Sequence, residues 1–494
     1  SDSGLLWVSA GPGCGKSVLS RALIDERRVT TNVATSTICY FFFKDGIQDR
    51  MYATDALSAI LHQIFTNVPT SGLIQHALPS HKNYGKNLKN NFPELWRILM
   101  NCVKSPDAGE IVCVLDALDE CHHDSRQLLI NKLREYYQKR SQASGPRPRL
   151  KFLITSRPYD DLQASFNRFS NIMTFVRFDG DDKSAQISKE INLVIDARVD
   201  EIAHDFSEDS RRKIAEQLKS MEHRTYLWLH LTFDIIEQSP SEYRRVSDLE
   251  ALLTGLPSQV SEAYERILEK SKNDLHTETL LQIVLAAVRP LTLDEANAAL
   301  TIALKNGRFD SHAALESSMW PRENFKNTVK NLCGLFISVH ESKLSFIHQT
   351  AREFLISPER KGKWQGRLDL AKSHSKMLKI CLEYMPYFNE QIPISEMRVR
   401  FPLADYVLGL TFFHVEIGKT ENDLQESVLD FFLNRNKAYK VWDRFNFEHD
   451  DPSAENKQLP APLYYASYVG LERTVERLIK EGVDVNPEGG WFGF

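Results

Sequence analysis

Hydrophobic positions along this chain change their period several times, and the changes divide it. Near the N-terminus an apolar run, Leu6-Trp7-Val8-Ser9-Ala10, ends in a glycine-rich turn. Val18, Leu19, Ala22 and Leu23 then recur at helical spacing. Thr35–Phe43 is β-rich, is bounded by Lys44-Asp45-Gly46, and reads as a second strand. Helical spacing returns over Ala53–Phe65 and Phe92–Val103, and again over Gln127–Tyr137. Ile111–Asp116 and Leu150–Ser156 are short unbroken apolar runs, the kind buried on both faces of a parallel sheet. Alternating β and α elements predict a doubly wound α/β sheet over residues 1–180.

Past residue 180 the pattern is helical. Ile187, Ile191, Val194, Ile195, Val199 and Ile202 predict a long helix over Ser184–Ala203. Ile214–Met221 and Tyr226–Ile236 extend a helical domain spanning 181–272. Thr292-Leu293-Asp294-Glu295 is a capping-box signature that opens a helix through Leu304. A second helix, Phe325–Leu332, stops at Gly334. Leu335–Val339 and Leu344–Ile347 flank a polar turn as a β-hairpin, and His348 starts the next helix. That order predicts a winged helix over 273–358. Lys372–Tyr384 and Asp423–Phe432 predict a second helical domain over 359–457.

Composition adds limits. The chain has 494 residues, too many for one core, with 42% hydrophobic and 26% charged residues and a net charge of −5. Near-neutral charge argues against nucleic acid or a membrane surface as a partner. Arg322, Lys326 and Lys330, set against Glu323, make no strong basic stripe on the winged helix. No apolar run approaches the ~20 residues needed to span a bilayer. Seven cysteines are scattered singly, a reduced, cytoplasmic usage. Ser1 lies almost on the first strand, so the chain is expected to be a piece of a longer protein.

The chemistry gathers where strands end. Gly11-Pro12-Gly13-Cys14-Gly15-Lys16-Ser17 follows a strand and opens a helix, as a phosphate-binding loop requires; Ala10 stands at its first glycine position. Backbone N–H groups of Gly11, Gly13, Cys14, Gly15 and the first helical residues through Val18 would converge on phosphate oxygens at the helix N-terminus. Lys16 would reach the β- and γ-phosphates, and the Ser17 hydroxyl would hold Mg²⁺. Asp116 ends a buried strand and suits a Mg²⁺ contact, because that hard cation takes oxygen ligands. Ser156-Arg157 ends the next strand; Arg157 is read as a γ-phosphate sensor or else a surface cation before Pro158. Cys121-His122-His123-Asp124 are consecutive, so they read as a solvated loop and not a metal site.

Taken together, WVSAGPGCGKS, CYFFFKD, VCVLDALDEC and FLITSRP resemble the NACHT class of signal-transducing P-loop ATPases. Fungal members with ankyrin repeats, whose P-loop module is called nephrocystin-3-like, are the nearest likeness. Asp116-Ala117-Leu118-Asp119-Glu120 departs from ordinary ATPases, where a catalytic Glu directly follows the Asp. Ala117 takes that slot, so the base is Asp119 or Glu120, with Glu120 preferred. The resemblance also implies that His348, at the FIHQT position, approaches the β-phosphate of ADP; a buried or helix-capping histidine is the equal alternative. No Gly-x-Pro for adenine is present. Tyr226 or Trp228 would stack the base, although core packing is the preferred reading of both.

Residues 458–494 follow the ankyrin pattern: Pro462-Leu463-Tyr464-Tyr465-Ala466, Gly470, Leu478-Ile479, then Gly482-Val483-Asp484-Val485-Asn486. A further repeat would start at Gly489-Gly490-Trp491. The expected protein is an ATP/ADP-operated cytoplasmic switch with slow hydrolysis. It would self-associate when active, take a protein ligand on its repeats, and serve fungal nonself recognition. An ATP-driven remodelling enzyme and a non-hydrolysing ankyrin scaffold are the alternatives.

Overall fold

The computed structural model describes residues 4–30, 36–45, 47–141, 150–167, 174–178, 185–202, 206–221, 225–237, 255–305, 308–389, 391–418, 422–434, 437–446 and 462–485. The chain divides into two units, Ser1–Ala263 and Tyr264–Phe494.

The first unit is built on strands β1 (Leu5–Ala10), β2 (Ser36–Phe42), β3 (Glu110–Asp116), β4 (Leu150–Ser156) and β5 (Thr174–Phe178). They form one parallel sheet in the order β2-β3-β4-β1-β5. Its helices are α1 (Lys16–Asp25), α2 (Ala53–Thr66), α3 (Leu78–Tyr84), α4 (Phe92–Lys104), α5 (His123–Ser141) and α6 (Asp160–Asn167). One sheet face packs on α2, α4, α5 and α6 through Leu57, Ile60, Leu99, Leu133 and Phe166. On the other face Val8, Val114 and Leu153 meet Ile24 of α1. Sandwiched between helical layers, β3 is apolar almost throughout, as a parallel strand buried on both faces must be. The register sets Ser9 beside Ser156 and Phe42 beside Asp116, so the carboxyl ends of β2, β3, β4 and β1 share one edge.

Helix α1 corrects the sequence reading. Val18 and Leu19 are 74% and 41% exposed and Ala22 is exposed, while Ser20 and Ile24 are buried. The helix turns Ser20 inward because its hydroxyl has an acceptor in the sheet. Around the sheet, helices α3 and α6 and the edge strand β5 were not read from the sequence. Helices α7 (Ala185–Ile202), α8 (Glu208–Ser220) and α9 (Tyr226–Glu237) form a separate core around Ile195, Leu218, Trp228 and Phe233.

In the second unit, helices Asp274–Ala286, Leu293–Leu304, His312–Ser318 and Arg322–Cys333 precede the antiparallel pair Ile337–His340 and Lys343–Phe346. Residues 291–292 extend the hairpin, with Leu344 N–H donating to Leu291 O at 2.8 Å. The capping box at Thr292 forms in both directions, 3.2 Å from Glu295 N–H to the Thr292 hydroxyl and 2.7 Å from Thr292 N–H to the Glu295 carboxylate. Gly334 closes its helix at φ 55°, where a Cβ would come 2.7 Å from Ile267. Near the start of this unit Glu265 accepts backbone N–H groups of Lys363, Trp364 and Gln365, clasping the two ends of the module. Helices from Leu370–Tyr384 to Lys437–Asn446 follow. Pro462–Val469 and Glu472–Lys480 are a helix pair with Tyr465, Ala466, Leu471 and Leu478 buried and Gly470 at φ 82° between them. Asn486, Gly489, Gly490 and Trp491 lie outside the described residues.

Candidate functional site

The loop after β1 is shaped by its glycines. Gly13 and Gly15 sit at φ 74° and 78°, the left-handed region a side chain resists. Gly13 is also crowded: a Cβ there would lie 2.9 Å from Leu227 Cβ and 3.1 Å from the Thr225 hydroxyl. These dihedrals turn successive N–H groups toward one side at the start of α1. Lys16 folds over the loop, with Nζ donating to Ala10 O and Gly11 O at 2.8 Å each. Burial lowers its pKa from the ordinary lysine value. Cys14 is half-buried and its thiol faces Pro12 O at 3.8 Å.

Asp116 is 1% exposed and takes three hydroxyl donors. Ser17 Oγ donates at 2.5 Å, Ser20 Oγ at 2.8 Å and Thr155 Oγ1 at 2.7 Å. Sequence reasoning anticipated Ser17 and missed the other two. Ser20 lies one helical turn beyond Ser17, and Thr155 directly precedes Ser156-Arg157; those spacings were the available signal. An all-oxygen cluster of one carboxylate and three hydroxyls fits a hard divalent cation.

After Asp116 the chain turns sharply. Ala117 adopts φ 55°, strained for a residue with a Cβ, and its N–H donates to Thr155 Oγ1 at 3.0 Å. Because β3 lies between β2 and β4, the two following acids go to opposite neighbours. Asp119 faces the β4 end: its carboxylate accepts Arg157 N–H at 3.0 Å and lies 3.3 Å from Arg157 Nε. Glu120 faces the β2 end, accepting Asp45 N–H at 3.1 Å. Burial, and then the charge of Asp119, push the Glu120 carboxyl up to about 7. Lys44 sits nearby, its pKa lowered by burial and opposed by Glu120.

The remaining candidates separate. Trp228 is fully buried, with Nε1 donating to Pro257 O at 2.8 Å, so it is core. Tyr226 is only half-buried and lies against the loop, where a Cβ on Gly15 would meet its ring at 3.6 Å; its hydroxyl donates to Glu190 at 3.3 Å. His122 packs on Tyr52 at 5.4 Å between ring centroids, and Cys121 is buried. In the second unit His348 caps the helix Gln349–Leu355, with Nδ1 accepting Thr350 N–H at 3.2 Å. A helix-capping role was one of its two readings.

Residues 1–157 match the family Nephrocystin 3, N-terminal, and residues 264–365 match the winged helix domain of GPI inositol-deacylase. Residues 187–248 match a domain family of unknown function. The chain is similar to vegetative incompatibility protein HET-E-1 of Podospora anserina, 27% identical over 365 residues. That match covers 72% of this chain and 24% of the relative. It is also similar to azaphilone pigments biosynthesis cluster protein L of Monascus ruber, 22% identical over 283 residues, covering 51% of this chain and 58% of the relative. The chain thus spans less than two thirds of either. Among solved structures, the Walker-type ATPase PABY2304 of Pyrococcus abyssi aligns with TM-score 0.29 at 14% identity, over 71% of this chain and 90% of that one.

A parallel sheet with a glycine loop and a strand-ending aspartate, joined in one chain to a winged helix, defines a P-loop nucleotide-binding protein. Within that class the chain is similar to the NACHT-type STAND P-loop NTPases, through the nephrocystin 3 match over residues 1–157 and the likeness to HET-E-1. Among the described residues, no helix is long and apolar enough to cross a membrane.

Proposed function

We propose that this chain is the nucleotide-operated core of a signalling switch that alternates between ADP and ATP and hydrolyses ATP slowly. One observation supports the reading: the loop serine and the strand-ending aspartate meet at 2.5 Å, as a shared phosphate and metal site would need. Backbone N–H groups of Gly11, Gly13, Cys14, Gly15 and Val18, with Lys16, would hold the phosphates. Ser17 and Asp116 would hold Mg²⁺, which when bound neutralises charge between the β- and γ-phosphates.

Glu120 is the better base, because the Asp119 carboxylate is already taken by Arg157. An attacking water would pass its proton to Glu120 as its oxygen bonds to the γ-phosphorus and the bond to the β,γ-bridging oxygen breaks. A carboxyl near 7 is half-charged at neutral pH, which suits slow turnover. Arg157 would follow the γ-phosphate through its hold on Asp119. Tyr226, beside the loop, would border the base. His348 would approach the β-phosphate of ADP, as the resemblance implies. Such a switch needs a few kcal/mol of differential affinity, not rapid turnover.

The likeness to a vegetative incompatibility protein supports a cytoplasmic role in fungal nonself recognition. The helix pair at Pro462–Lys480 would begin an ankyrin array for a protein ligand, and the active state would self-associate. The test is to denature the purified chain and identify released nucleotide in wild type, Lys16→Ala and His348→Ala. Stoichiometric ADP, lost in the first variant and depleted in the second, is expected. An empty wild-type chain that turns ATP over quickly would sink the switch and favour a remodelling enzyme.

A further inference from the structure

A buried cation behind the site has no part in the reading above. Arg126, in the first turn of α5, is 7% exposed. Nη1 donates to the Asp119 carbonyl at 3.2 Å, and Nη2 donates to Asp161 Oδ2 at 2.5 Å. Nη2 also lies 3.2 Å from His123 Nδ1, while Nε is buried without a hydrogen-bond partner among the described residues. A buried guanidinium is costly unless paired, so these contacts hold it firmly. Asp161 is 41% exposed and sits in the first turn of α6, just after Arg157-Pro158-Tyr159. One fork therefore ties the turn after β3, the start of α5 and the start of α6.

The turn needs such ties. Leu118–Glu120 is a single 3-10 turn with two backbone bonds of its own, Glu120 N–H to Ala117 O at 2.9 Å and Cys121 N–H to Leu118 O at 3.2 Å. It follows the strained Ala117, and it carries both acids. Asp119 is gripped at its carboxylate by Arg157 and at its carbonyl by Arg126. The peptide unit fixed by Arg126 is the one that leads into Glu120, so its orientation sets where the Glu120 side chain starts.

We propose that Arg126, paired with Asp161, is a positioning residue that holds the Asp119–Glu120 turn in its working orientation. The proposal rests on the reading of Glu120 as the base. Arg126→Met is expected to lower kcat for ATP at least tenfold while KM stays within twofold. Arg126→Lys, a point charge in place of a fork, recovers part of the loss. Adding Asp161→Asn to Arg126→Met costs less than a further twofold, because the two act as one pair. Hydrogen exchange over residues 117–121 should quicken at least tenfold in Arg126→Met, with β1 protection unchanged. Normal kcat, a matched rise in KM, or exchange that quickens equally throughout the first unit would each overturn the proposal. A wild type that never hydrolyses ATP sinks Glu120 as base; the exchange experiment still decides the positioning claim, and unchanged exchange at 117–121 rejects it.

Discussion

The two units bury their polar groups in opposite ways. In the first, Asp116 is buried and takes three hydroxyl donors, and Glu120 beside it accepts the Asp45 N–H in a place that disfavours its charge. In the second, buried polar groups close on each other. Val288 N–H donates to the Tyr406 hydroxyl oxygen at 3.0 Å, which leaves the Tyr406 proton for His414 Nε2 at 3.1 Å. His414 Nδ1 lies 2.8 Å from His374 Nδ1, so one of the two rings carries the proton they share. Burial keeps both rings neutral, with His374 pushed down to about 4. One unit buries carboxyl groups at its strand ends, and the other uses its polar groups as neutral fasteners.

Removing the centre of the first arrangement should have the largest effect. Asp116→Ala strips the acceptor from three hydroxyls and should cost the first unit about 4 kcal/mol, read by denaturant titration with hydrogen exchange in β3. Exchange over Leu370–Tyr384 should stay unchanged. A loss below about 1 kcal/mol would mean the cluster is not a stabilising centre.

Acid should act on the second unit next. The linked pair His374 and His414 is neutral when folded and protonates when unfolded, so its stabilisation is complete above 6.5, the ordinary histidine value. It is lost as pH falls from there toward about 4, and His374 alone accounts for on the order of 3 kcal/mol. Exchange over Leu370–Tyr384 at pH 7 and pH 5 measures this, and His374→Gln should flatten the dependence. A pH-independent second unit would refute the neutral fastener.

Glu120 has the opposite sign. Its raised pKa means that stability is complete below 4.5 and lost as pH rises through about 7. Glu120→Gln should therefore stabilise the first unit by about 2–3 kcal/mol at pH 8, with the gain gone by pH 4.5. Thermal melting at the two pH values checks it; equal gains at both would remove the charge explanation. The smallest effect is at Ala117, where glycine relieves the left-handed backbone. Ala117→Gly should gain less than about 1 kcal/mol in melting stability, and a net loss would show that the alanine is unstrained.

Much of the site was legible because its parts are local. A glycine loop between a strand and a helix, a buried strand ending in Asp116, and the capping box at Thr292 each follow from neighbouring residues and backbone preference. Periodicity found helix α1 but not which face it buries, because the Ser20 hydroxyl outweighs Val18 and Leu19 by having an acceptor inside. The edge strand β5 is only five residues long and gave no readable signal. Tyr226 and Trp228 share a helix and an aromatic character, and only packing sends one to the loop and the other to the core.

By itself the sequence determined strands β1 to β4, the glycine positions and the identity of the acids, because those depend on short-range sterics and hydrogen bonding. Tertiary structure alone decided which acid pairs with Arg157. Asp119 and Glu120 are adjacent and chemically alike, but β3 lies between β2 and β4, so one reaches Arg157 and the other Asp45. Their partners lie 38 and 75 positions away in the chain, a separation no local pattern encodes.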